Sequence, residues 1–185
     1  MANRFKGSNG RSRGFTMVDL LAVIFIICFL TGVVFSAGGL MKARETANRV
    51  KCGSNMRQIG QGILLYANEN KGKYPPDLGI LVKTEDLTPE VFICPTGNNG
   101  FPRGANLAID DQVKWVNEHS DYIYVGAGMN ATAGAETIVL YEKPDAHQRQ
   151  GMNILYGDGH VEFQMMAAAM QEIERQKANR KGGGR

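Results

Sequence analysis

The 185-residue chain has few of the residues from which catalytic or metal sites are usually built: three Cys, three His and one Trp. It contains no nucleophile elbow, phosphate-binding glycine loop, Cys/His zinc spacing or zinc-protease helix. The first fourteen residues carry Arg4, Lys6, Arg11 and Arg13 and no acid, and from Phe15 to Leu40 the only charge is Asp19. The formal charge of +3 belongs to that basic leader, since without its four cations 17 Lys and Arg face 18 Asp and Glu. A chain with no net positive charge beyond its leader lacks the electrostatic footprint of nucleic-acid binding, so no nucleic-acid partner is expected.

What is present is a long apolar run. Leu20, Leu21, Val23, Ile24, Phe25, Ile26, Ile27, Phe29, Leu30, Val33 and Val34 together favour a bilayer by about 5 kcal/mol, against about 3 for a central Asp. Residues 15–40 are therefore expected to form a transmembrane helix. The cationic leader then stays in the cytoplasm, and the C-terminal domain lies outside in the periplasm on a single-pass inner-membrane protein. Ser36-Ala37-Gly38 also has the small residues of an ordinary signal-cleavage site, but the run before it is longer than a typical signal core and begins at an acid. An ionisable group in such a segment is a functional hypothesis with a partner to be named. The partner here is a new amino terminus at Phe15.

Arg13-Gly14-Phe15-Thr16-Met17-Val18-Asp19-Leu20-Leu21 resembles the prepilin cleavage and methylation signal of type IV pilins and type II secretion pseudopilins. The resemblance implies that a prepilin peptidase removes the leader, residues 1–14, cutting between Gly14 and Phe15 and methylating the Phe15 amine. It also implies that Asp19, where the family usually has Glu, acts in assembly with neighbouring pilin or pseudopilin subunits and with a secretion or pilus assembly machinery. In a low-dielectric filament core the Phe15 amine and a neighbour's Asp19 are each costly alone and tolerable together.

Beyond the apolar run, helical periodicity continues over 41–70 in two stripes. Leu40, Ala43, Ala47 and Val50 form one; Cys52, Met56, Ile59, Ile63 and Tyr66 form the other, turned by more than a quarter turn. Gly53, Gly60 and Gly62 predict close packing or a bend. The cations Lys42, Arg44, Arg49, Lys51 and Arg57 surround one acid, Glu45, in the pattern of a solvated helix face. Gly72 and Pro75-Pro76 end the helix near Asn70. A short helix is expected at Leu78–Val82 and an irregular loop at Thr96–Asn106. Strands follow at Tyr122–Val125, Thr137–Glu142, Met152–Tyr156 and His160–Phe163, with a hairpin turn at Gly157-Asp158-Gly159.

These elements predict an α+β, pilin-like fold: a long N-terminal helix whose first half spans the membrane and whose second half packs on a small antiparallel sheet. Residues 71–163 form the α+β domain, and 164–185 a short helix and a disordered basic tail. A second resemblance spans Cys52–Gly60, Tyr66–Asn70, Pro75, Cys94-Pro95, Gly151–Asn153 and Tyr156–Val161. These segments are similar to pseudopilin-like proteins whose processing-associated domain carries a His, about nine residues, then Asp-Gly. Here ten residues separate His147 from Asp158.

Cys52 and Cys94 either form a disulfide, worth about 4 kcal/mol in the chain-entropy model, or remain two reduced buried thiols. Asp158 and His160, with His147, are the weak candidates for metal ligands, and Asp110-Asp111 add carboxylates. No metal or other cofactor is expected; calcium is the one ion considered, because type II pseudopilins often bind it near the sheet. The function expected is that of a structural subunit of a pilus-like or pseudopilus filament, not an enzyme. The alternative is a membrane-anchored periplasmic binding protein that borrows the pilin-type signal and does not polymerise.

Overall fold

The computed structural model describes residues 15–35, 39–97 and 106–182. The leader with Gly14, the Ser36-Ala37-Gly38 segment, most of the expected loop within 96–106 and the last three residues lie outside the described residues. The chain divides into two compact units between Lys42 and Ala43.

In the first unit, helix α1 (Met17–Phe35) begins at a reciprocal cap. The Thr16 N–H and Oγ1–H donate to Asp19 Oδ2 at 3.0 and 2.8 Å, and the Asp19 N–H returns a bond to Thr16 Oγ1 at 3.3 Å. This is the geometry of a capping box, which satisfies donors that an uncapped first turn leaves orphaned. Every side chain from Phe15 to Gly32 is exposed.

Among the described residues no helix is long and apolar enough to cross a membrane. Asp19 and its cap occupy the first turn of α1, leaving 16 described residues from Leu20 to Phe35. That is about 24 Å of rise, against the roughly 30 Å of a hydrocarbon core. The expected transmembrane helix over 15–40, the fold in which a membrane-spanning half leads the chain, the inner membrane as partner and the single-pass location are thereby corrected. A sum over apolar side chains does not register that the helix begins at the Thr16–Asp19 cap.

Helix α2 (Gly39–Glu69) carries the two stripes in different roles. Leu40, Ala43, Ala47 and Val50 are exposed, whereas Cys52, Met56, Ile59 and Ile63 are fully buried. The chain leaves α2 through Lys71 (φ 56°) and Gly72 (φ 80°), with the Gly72 N–H on the Ala67 carbonyl at 2.7 Å. A left-handed residue after the last turn is the usual way to satisfy a helix's final carbonyls.

Four strands follow as an antiparallel meander: β1 (Tyr122–Tyr124), β2 (Ile138–Glu142), β3 (Gly151–Tyr156) and β4 (Val161–Met165), in that spatial order. Helices α3 (Ile80–Thr84) and α4 (Ile109–His119) lie between α2 and the sheet in sequence. Helix α5 (Met166–Gly182) closes the described chain, continuing beyond Lys177, where the sequence pattern predicts a frayed tail.

Both faces of the sheet are covered, which explains why β2 and β3 are buried at every position. On one face α2 packs Cys52, Met56, Ile59 and Ile63 with Val139, Leu140 and Leu155. On the other, α5 packs Ala169 and Ile173 with Ile138, Tyr141, Met152, Ile154 and Tyr156. A register irregularity between Ile138 and Leu140 puts Val139 and Leu140 on the same core, while Ile138 and Tyr141 on either side of them face α5. Gly60 permits this approach, since a Cβ there would lie 2.8 Å from Leu155 Cδ1.

Candidate functional site

The polar centre of the molecule lies where α2, the end of β2 and the segment after Phe92 meet. Cys52 on α2 and Cys94 form a disulfide, with Cα atoms 5.3 Å apart and a sequence separation of 42. Both are buried. The Cys94 backbone is held by Asp121, whose Oδ2 accepts from the Cys94 N–H at 2.9 Å. Gly97 must be glycine here, because a Cβ would fall 2.2 Å from that same oxygen.

Beside the disulfide sits His147, in a 3₁₀ turn (Ala146–Arg149) that connects β2 to β3. Its backbone has φ 51°, in the left-handed region that few non-glycine residues adopt and in which histidine is one of the more frequent. The strain is associated with the ring's placement: His147 is wholly buried, with Nδ1 at 2.9 Å from Glu45 Oε1 and Nε2 at 3.2 Å from Glu142 Oε1. Two carboxylate acceptors on the two ring nitrogens call for two N–H donors, which only the imidazolium supplies. Burial opposes that charge. The hydrogen bonds and negative charges of Glu142 and Glu45 outweigh it and hold the pKa above the ordinary histidine value.

Glu142 is wholly buried, and its oxygens are fully engaged. Oε2 accepts from the Asn153 backbone N–H at 2.6 Å, and Oε1 from the Asn153 side-chain amide at 2.9 Å. Asn153 also donates to the Arg49 carbonyl on α2 at 3.2 Å. At the outer rim Arg49 pairs with Glu45 at 3.4 Å, reaches Gln150, and stacks its guanidinium 4.7 Å above the Phe163 ring. The charges thus alternate: Arg49, Glu45, His147, Glu142. Nearby, burial pushes the Tyr122 phenol well above its usual range, with the Glu142 charge adding to it.

The expected site residues separate into two groups. Cys52 and Cys94 are paired, and His147 joins them: Cys94 Sγ is 3.8 Å from His147 Nε2. Asp158 and His160 are instead exposed and belong to the β3–β4 turn. There the Asp158 carboxylate accepts from the His160 N–H at 3.1 Å and contacts the His160 ring at 2.5 Å, while the ring stacks on Tyr156. These bonds hold the Asp158 carboxyl below its usual range. The structure does not bring His147 together with Asp158 and His160, because strand β3 separates the buried turn that precedes it from the exposed turn that follows it. Asp110 and Asp111 sit in the exposed first turn of α4, paired with Lys83 and Lys114. Asp19 caps α1, and Phe15 is exposed.

Glu45, Glu142 and Asn153 were not among the expected site residues. Their only sequence signals are a single acid in a basic helix face and an acid closing the apolar run Ile138-Val139-Leu140-Tyr141. The fold and site define an α+β domain in which a buried Glu–His–Glu bridge joins α2 to β2, beside a disulfide that joins α2 to the segment after Phe92. No protein-family model matches the chain, nor does any curated protein or solved structure.

Proposed function

We propose that the chain is a pilin-like structural subunit that is processed at Gly14–Phe15 and polymerises through α1. The observation that carries this reading is the exposure of every side chain from Phe15 to Gly32 on a helix that is apolar around its whole circumference. A helix of that kind is stable in water only when something covers it. Other copies of the same helix are suitable covers, because each brings an acid in its first turn and, after cleavage, a positive Phe15 amine to meet it.

The exposed residues Ala43, Ala47 and Val50 support the same use, offering apolar surface on α2. The folded unit then acts as the rigid body carried by the polymer. Its buried disulfide fits a protein that works in oxidising surroundings.

Two measurements on the full chain, expressed with a prepilin peptidase, test the reading. Intact mass should show loss of residues 1–14 and addition of one methyl group, and sedimentation should show large assemblies that Phe25→Glu disperses. A start at Met1 or near Ala37, or a processed chain that stays monomeric, refutes it.

A further inference from the structure

Four metal-binding side chains converge on one buried point from four parts of the chain: Cys52 on α2, Cys94 in the following segment, Glu142 at the end of β2 and His147 in the β2–β3 turn. One ligand atom from each lies within 4.8 Å of every other. In the described structure the two sulfurs are bonded to each other, and a disulfide is a poor ligand. We propose that, when the Cys52–Cys94 bond is reduced, these four residues form a closed tetrahedral site for a zinc ion.

The donor set suits a borderline metal: two thiolates, an imidazole and a carboxylate. Tetrahedral zinc, with bonds of about 2.0 to 2.3 Å, separates its ligand atoms by roughly 3.3 to 3.8 Å. Cys94 Sγ to His147 Nε2 at 3.8 Å and Nε2 to Glu142 Oε1 at 3.2 Å are near that spacing, and opening the sulfur–sulfur bond lets the two thiolates move apart to it. All four residues are buried, leaving no open position for substrate, as in structural rather than catalytic zinc sites.

The surrounding bonds are those of a prepared metal site. Nε2 of His147 faces the sulfur and Glu142, while Nδ1 points away to the Glu45 carboxylate. That is the carboxylate–histidine–metal arrangement that fixes the ring and raises its basicity. Glu142 is held by Asn153, so its Oε1 is aimed without rearrangement.

The chemistry balances with a phosphine as reductant. Phosphine, disulfide and water give phosphine oxide and two thiols. Zinc then displaces both thiol protons and the proton on Nε2, three in all, and the ion occupies the place of the covalent bond. Disulfide and zinc are therefore alternative fasteners for the same junction.

The test uses the full chain, phosphine-reduced or left oxidised, titrated with cobalt(II) chloride. The reduced chain should bind one cobalt, with thiolate-to-cobalt charge transfer and the intense visible bands of a tetrahedral ion; the oxidised chain should show neither. Zinc chloride should displace the cobalt stoichiometrically. Cys28→Ala, which removes the exposed thiol, should leave the titration unchanged. Glu45→Gln, which keeps all four ligands, should weaken binding 10- to 100-fold. The proposal fails if the reduced chain binds no cobalt, whether folded or not, if the oxidised chain binds equally well, or if Cys94→Ser binds as tightly as the parent.

Discussion

The Nδ1 atom of His147 lies 2.9 Å from Glu45 Oε1, a contact between residues 102 positions apart. Its other ring nitrogen meets Glu142, so one imidazolium joins helix α2 to strand β2 through two carboxylates. The adjacent disulfide joins α2 to the segment after Phe92. The junction is thus held by a covalent link and by an ionic one, in contact with each other.

Replacing His147 tests the ionic link. His147→Ala in the oxidised chain leaves the buried Glu142 without its cation, while Glu45 keeps Arg49, and breaking a buried pair in this way costs about 3 to 5 kcal/mol. Urea denaturation should show a lower midpoint with an unchanged slope. A loss below about 1 kcal/mol would mean that water or Arg49 replaces the ring.

The covalent link has its own magnitude. Cys52→Ala with Cys94→Ala releases a loop closed over a separation of 42 residues, worth about 4 kcal/mol in the chain-entropy model. For a folded unit of this size the melting temperature should fall by roughly 8 to 16 °C. Calorimetry of the double variant measures it, and an unchanged temperature would show that the denatured chain is already constrained.

How far the fold was legible follows from how local its causes are. The stripe Cys52, Met56, Ile59 and Ile63 was visible because one buried face imposes a three-four period, and Gly157-Asp158-Gly159 because turn geometry acts on neighbours. Helix α4 was not expected, although Ile109, Val113 and Val116 keep the three-four spacing of an amphipathic helix; it buries only Val116 fully. The membrane span was not borne out, since composition alone does not register the capped start at Thr16 and no described helix is long and apolar enough to cross. Within the site the disulfide was foreseen as one of two states. Glu45, Glu142 and Asn153 were invisible because an acid or amide acquires its partner only when distant segments pack, and no spacing along the chain encodes that.

Gly151 opens β3 opposite Met165, where the backbone of β4 approaches closely. A Cβ there would stand 2.3 Å from the Gln164 carbonyl oxygen and 2.6 Å from the Phe163 ring. Gly151→Ala must displace β4 and the ring beneath Arg49, at about 1 to 3 kcal/mol. Gly134→Ala, whose Cβ meets nothing within 4 Å, should stay within about 0.5 kcal/mol of the parent. Equal stability of the two variants would contradict the packing.

Asp19 has two roles that a single substitution confounds, and its titration separates them. The Thr16 N–H and hydroxyl hold its carboxyl below the ordinary value of 3.8. Since the folded pKa is depressed, the cap is fully formed above the unfolded value and is lost as pH falls through the lower, folded one. Carboxyl-carbon NMR on the full chain should place the midpoint below 3.8, and Thr16→Val, which removes the hydroxyl, should move it upward. A wild-type midpoint at or above 3.8 would rule out the capping box. Thr16→Val weakens the cap but keeps the carboxylate, whereas Asp19→Ala removes both. If polymerisation depends on the pairing of Asp19 with a neighbour's Phe15 amine, the first variant should assemble and the second should not. If both fail alike, Asp19 serves assembly only by starting the helix.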